Sequence, residues 1–238
     1  MLTQNPKLFC LLYYLPLYSE TCKARSPIFA GIDLIPLSAT VVPTSIVISI
    51  CLTRLGHYRW AIWFGFSLAT LANGLLILLD DQISTAGWAS ILVFLGIGQG
   101  AILMSLVVCI QATCSNDDVA YAAASYTFFR SFGMCIGVAV GGTVFQNSMT
   151  YHLKDLGLSE DVAKNADAFV STLNRLPVGS ALRKSYVFAY TQSFHGVFEA
   201  LTGISALGLL SSLIIKGYTM DKKLTSEHVL RKSIEGGK

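Results

Sequence analysis

Residues 88–113, WASILVFLGIGQGAILMSLVVCIQAT, contain no charged side chain. A helix of that length rises about 39 Å, more than the ~30 Å hydrocarbon core of a bilayer. Lipid is the solvent such a segment suits, because a helix satisfies its own backbone there. Other stretches have the same character. Residues 28–53 carry one charge, Asp33, together with Pro36 and Pro43, and residues 60–79 carry none. Residues 119–147 contain only Arg130, and 188–215 contain only Glu199 and His195. A shorter run, LFCLLYYLPLY at 8–18, covers about 16 Å, half a membrane. Lys7 and Ala24 flank it as they would in a secretory signal, but Pro16 and the aromatic residues interrupt the apolar region that a signal requires. The better reading is a span whose first turns precede this chain.

Composition supports a membrane protein. Charged residues make up 13% of the chain and hydrophobic ones 53%, against about 25% charged in a soluble domain. Mean hydropathy is +0.58. The net charge of +3 is too small and too dispersed for a nucleic-acid surface. The six cysteines form no CxxC pair and the four histidines form no HxxxH or HExxH motif, so no metal site or cofactor is expected.

The expectation is an all-α integral membrane fold with six spans at about 8–20, 28–53, 60–79, 88–113, 119–147 and 190–215. Arg54 and Arg59 in one short loop, and Lys216, Lys222, Lys223, Arg231, Lys232 and Lys238 after the last span, orient the bundle by the positive-inside rule. Loop 54–59 and the tail 217–238 are then cytoplasmic, and loop 80–87, with two aspartates and no cation, is external. Loop 21–27, with Lys23 and Arg25, dissents. Segment 148–187 is external as well. Within it, Val162, Ala166, Phe169 and Leu173 recur at helical spacing, which predicts an amphipathic surface helix over 159–173.

Small and polar residues within the spans are the candidate functional groups. Gly133, Gly137, Gly141 and Gly142 form a packing seam, and Gly96 and Gly100 form a second. Small residues let backbones approach where lipid offers no hydrophobic gain from helix association. Arg130 is costly at mid-membrane, at least ~2.5 kcal/mol on insertion scales. It is expected to snorkel to the cytoplasmic interface or to serve the transport path. Asp33 reads as an interfacial carboxylate or a proton-coupling group. Glu199 follows His195 by four residues, so the two share a helix face. Asn73, Gln99, Gln111, Gln146 and Asn147 are the uncharged polar candidates for a substrate path. In LTRLGHYRW at 52–60, Gly56 suits a tight turn between Arg54 and Arg59.

Six pieces of the sequence, in order, carry a family resemblance: LLYYLPLY (11–18), SPIFAGIDLIPL (26–37), RLGHYRW (54–60), GIGQGAILMSLVVCIQA (96–112), DDVAYAAASYTFFRSFGMCIGVAVGGTVFQN (117–147) and IIKGYTMDKKLTSEH (214–228). Together they resemble the major facilitator superfamily, and most of all its fungal fourteen-span drug:proton antiporters, which include toxin efflux pumps. The resemblance implies the carboxyl-terminal six-helix bundle, with its first helix truncated. It implies proton-coupled efflux of drugs, toxins or other small organic molecules by alternating access, with a proton gradient as energy source. RLGHYR then stands where the family has a basic loop, and the glycine seam occupies the fifth helix. The implied partners are membrane lipid, an organic substrate and an absent amino-terminal half or a full-length transporter. The implied location is the plasma membrane, with the vacuolar membrane as alternative. Rival readings are a non-transporting membrane partner, a non-functional truncated remnant and a polytopic membrane enzyme. The enzyme would need clustered His, Asp or Cys at one membrane face, and the sequence has no such cluster.

Overall fold

A computed structural model describes residues 5–77, 85–114, 118–177 and 179–214. Every described element is an α-helix: α1 (Asn5–Thr21), α2 (Pro27–Ile32), α3 (Ile35–Leu55), α4 (Arg59–Ile77), α5 (Thr85–Thr113), α6 (Val119–Asp155), α7 (Asp161–Lys164), α8 (Ala166–Leu173) and α9 (Ala181–Leu213). Among the described residues, five helices are long and apolar enough to cross a membrane: Pro27–Leu55, α4, α5, α6 and α9. The short run at 8–18 lies inside the longer α1, whose 17 residues rise about 25 Å. Apolarity ends before the helix does, because a helix continues wherever its backbone can bond.

The five spans and α1 pack in the lateral order α3, α5, α4, α9, α6, α1. The ends are called inner and outer here, after the orientation expected from loop charge. The turn from α3 to α4 lies at the inner end, where Gly56 caps α3 with φ +66° and donates its N–H to the Leu52 carbonyl at 3.0 Å. That left-handed backbone is open to glycine at little cost. The turn from α1 to α2 lies at the outer end.

Hydrophobic burial divides along the membrane normal. One core joins α1, α5, α6, α8 and α9 around Tyr14, Tyr18, Trp88, Phe145, Tyr190 and Phe194. A second joins α3, α4 and α5 around Ile48, Tyr58, Ile62, Phe66 and Leu106. Ile28, Val42, Ile46, Tyr121, Phe128 and Phe132 stay at least half exposed, which suits lipid or an apolar partner surface. The outward face of α3 and the first half of α6 are the barest parts of the bundle.

Two helices overrun the bilayer. α6 reaches Asp155 and α9 begins at Ala181, so their outer turns lie beyond the apolar stretches that mark the spans. These turns are held by α7 and α8, which stand where one surface helix over 159–173 is expected. The chain breaks at Asn165, whose φ of −130° and ψ of 47° leave the helical region. Val162, Phe169 and Leu173 pack into the outer core, and the buried Tyr190 hydroxyl donates to the Ala166 carbonyl at 2.7 Å. Tyr13 also donates to Asp167. Tyr190→Phe is expected to lower stability by about 1 kcal/mol, read as a lower thermal midpoint and faster proteolysis within 159–180. The expected tail 217–238 and the acids of loop 80–87 at 80 and 81 lie outside the described residues.

Candidate functional site

Glycine spacing brings backbones together first. In α5, Gly96 and Gly100 face α3 while Gly98 faces α4. A Cβ at Gly96 would overlap Thr40 Oγ1 and sit 2.8 Å from the Leu37 carbonyl oxygen. One at Gly100 would lie 2.6 Å from the Val41 carbonyl oxygen, and one at Gly98 would lie 2.8 Å from the Ala69 nitrogen. α5 is therefore wedged between two neighbours with almost no side chain intervening. In α6, Gly133, Gly137 and Gly141 are all buried. Gly141 meets Cys10 and Tyr14 of α1, and Gly142 faces the Tyr14 hydroxyl.

Polar groups lie at three depths. In mid-bundle, Asn73 and Gln99 are 1% and 2% exposed. The Asn73 amide donates to Ser205 Oγ at 3.0 Å, while its Oδ1 has no partner among the described residues. Such an orphan carbonyl in an apolar bundle costs roughly 1–3 kcal/mol and is ready to accept a donor. Gln111 is exposed near the inner end of α5, and Gln146 and Asn147 are exposed on α6. The structure thus brings Asn73 and Gln99 into the bundle interior and leaves the other three on its surface.

In the outer half of the bundle, Ser193 of α9 donates to Met149 of α6 at 3.6 Å, and Gly196 faces Ser148. Continuing that antiparallel register sets Arg130 level with Ser212, whose carbonyl accepts from Trp63 Nε1 at 3.2 Å. Trp63 is one turn into α4, so Arg130 sits near the inner rim. Its Nε is buried without a hydrogen-bond partner among the described residues. Arg54 is exposed, and Arg59 lies over the Trp63 ring, 4.8 Å from the centroid. The contact attracts cation to ring and anchors the inner belt.

At the outer end, near the interface as expected, Asp33 is only 7% exposed, so its carboxylate is buried rather than solvated. The chain turns at Asp33 and Leu34 between α2 and α3, and the surroundings close over the side chain. Arg25 Nη1 donates to Oδ1 at 3.1 Å and Ser19 Oγ to Oδ2 at 3.1 Å. Arg25 Nη2 reaches Thr85 Oγ1 at 3.5 Å, and Trp88 Nε1 donates to the Asp33 carbonyl at 3.3 Å. Tyr18 stacks on Trp88 at 5.5 Å, and Lys23 Nζ lies 4.2 Å from the Trp88 ring centroid. Burial pushes the Lys23 ammonium down, Asp33 partly offsets this, and Arg25 adds to it. A buried carboxylate therefore ties α1, α3 and α5 together at one end. His195 lines a neighbouring cleft. Glu199, one turn further along α9, is exposed. Asn73 on Ser205 and Gly74 facing Thr202 fix a register that sets Glu199 level with Ile77, near the outer rim.

No family model matches the chain, but curated fungal proteins do. The chain is 37% identical over 224 residues to the MFS transporter L2 of Phoma sp., a match covering 92% of this chain and 37% of that protein. It is 29% identical over 232 residues to the MFS-type efflux pump LUC4 of Fusarium sp., covering 94% of this chain and 41% of the relative. The efflux pump FUS6 of Gibberella moniliformis matches at 28% over 236 residues, with 94% and 41% covered. The chain belongs to the major facilitator superfamily. This major facilitator chain spans about two fifths of the length of the curated relatives it matches, and it is a multi-pass membrane protein.

Ser19, Arg25, Thr85 and Trp88 were not among the residues that the sequence marks for this major facilitator chain. Arg25 is 8 positions from Asp33, Ser19 is 14 and Trp88 is 55, beyond any local periodicity. The one available signal was the dissenting pair of cations in loop 21–27, whose charge has a buried carboxylate to answer.

Proposed function

We propose that this chain forms the carboxyl-terminal half of a proton-coupled exporter of small organic molecules, drugs or toxins, working by alternating access. The observation that carries the reading is the side-chain-poor contact of α5 with α3 and α4, next to the buried amides Asn73 and Gln99. Smooth backbone contacts let helices rock, and polar groups at the midplane give a substrate something to bind. Relatives named efflux pumps support export as its direction. Membrane lipid, the organic substrate and an amino-terminal half or full-length transporter are the partners. The proton gradient, rather than a bound cofactor, supplies the energy, and the plasma membrane is the location. Asn73 and Gln99 contact substrate, whereas Arg130, Asp33 and Glu199 act at the rims. Gln111 guides the inner mouth.

Deleting the gene in its source cell is expected to raise accumulation of a fluorescent organic drug at least twofold. A restored wild-type copy reverses this, and an uncoupler that collapses the proton gradient abolishes the reversal. A copy carrying Gln99→Ala and Asn73→Ala reverses it only partly. Accumulation that is identical with and without the gene, across a panel of neutral, cationic and anionic drugs, contradicts the proposal.

A further inference from the structure

A cleft of about 710 Å³ lies where α1 ends and α9 begins. That size suits a small organic molecule. Lys23, Arg183, Lys184 and His195 line it, with Val187 and Phe188 as apolar wall and no carboxylate among the described lining residues. Two features make this charge unusual. Arg183 and Lys184 occupy the first turn of α9, which has no acidic residue, although the positive end of a helix dipole favours acids there. Lys23 is desolvated enough to hold its proton less firmly than an ordinary lysine. Arg183 and Lys184 thus stand at a helix N-terminus beside an apolar wall, with Lys23 lining the same cleft; Asp33 offsets part of the Lys23 charge, and an anion relieves the rest.

We propose that this cleft binds an amphiphilic organic anion, a phosphate or carboxylate head on an apolar body. Arg183, Lys184 and Lys23 take the head, through charge-assisted hydrogen bonds, and Val187 and Phe188 take the body. Exposed Lys184 is free to swing onto an anion. Arg183 is oriented by its Nη1 bond to the Leu176 carbonyl at 3.5 Å. The anion has two sources, an acidic phospholipid of the surrounding leaflet or a free amphiphilic acid. The site lies at the outer end of the bundle, away from Asn73 and Gln99, and does not depend on export.

Native mass spectrometry of the full chain in neutral detergent tests it with phosphatidylglycerol, phosphatidylcholine and octyl phosphate as probes. Phosphatidylglycerol or octyl phosphate is expected to be retained in preference to phosphatidylcholine. Arg183→Gln and Lys184→Gln each reduce that retention about fivefold, and Lys184→Glu reduces it further. Retention of phosphatidylglycerol alone identifies the lipid source, and retention of octyl phosphate alone identifies the free acid. Displacement of the lipid by octyl phosphate shows one shared site. Equal retention of phosphatidylcholine, no retention of either anion, or retention unchanged in the folded Lys184→Gln chain overturns the proposal. Lys184 is exposed, so its glutamine variant keeps the fold and the test stays decisive.

Discussion

Gly100→Leu is expected to leave no detectable folded protein after detergent extraction, and Gly100→Ala to unfold several degrees below the parent. The physical reason is the absence of anywhere for a side chain to go. The first added carbon would lie 2.6 Å from the Val41 carbonyl oxygen and 3.1 Å from Thr44 Cβ, so α3 and α5 must part along their length. Overpacking of this kind costs roughly 1–3 kcal/mol for one methyl group, and a leucine adds three carbons more. Gly203 provides the control. It lies on α9 with nothing within 4 Å of an added Cβ, and its helical backbone favours alanine by up to about 1 kcal/mol. Gly203→Ala is therefore expected to hold or raise the thermal midpoint. Equal losses at Gly100 and Gly203 would show that glycine matters for chain flexibility rather than for close contact.

Removing the Asp33 carboxylate has the second large effect. Asp33→Ala is expected to lower stability by roughly 2–3 kcal/mol, below the 3–5 kcal/mol typical of fully buried pairs, because Arg25 keeps solvent around it. The Arg25 side chain is 32% exposed and that of Asp33 only 6%. Arg25→Ala is expected to cost at least as much, since it strands the more deeply buried partner. The double variant Asp33→Ala with Arg25→Ala should recover part of the loss. A thermal-denaturation cycle over the four proteins measures this, and strict additivity of the two single losses would mean the pair is not coupled. Asp33→Asn separates charge from hydrogen bonding, because the amide keeps an acceptor for Ser19 while losing the attraction to Arg25.

Hydropathy made the spans legible because a helix in lipid needs little more than twenty apolar residues. The glycine seams were legible for a related reason: close approach in lipid leaves a spacing of four. The division of labour within α5 was not, since GIGQG gives no sign that its outer glycines meet α3 and its central one meets α4. Arg130 is expected near the inner end from loop charge, and the register of α6 on α9 sets it level with Ser212, beside Trp63 in α4. The burial of Asp33 was not legible because hydropathy ranks depth along one helix, whereas this burial comes from α1 and α5 closing over the side chain. The cleft of Lys23, Arg183 and Lys184 joins residues about 160 positions apart in sequence, a distance at which pattern carries no signal. The break at Asn165 was likewise invisible, since the apolar spacing of 159–173 continues across it.

The most direct test of the transport account is the accessibility of position 99. A Gln99→Cys chain, with its six native cysteines replaced by serine or alanine, is exposed to a membrane-impermeant maleimide from each side of a sealed vesicle. Gln99 is almost wholly buried, so labelling reports opening rather than surface exposure. The account predicts labelling from both sides, with the favoured side changing as the proton gradient is reversed. A cysteine that reacts from neither side, or from one side regardless of the gradient, would contradict alternating access and leave a statically packed helical bundle.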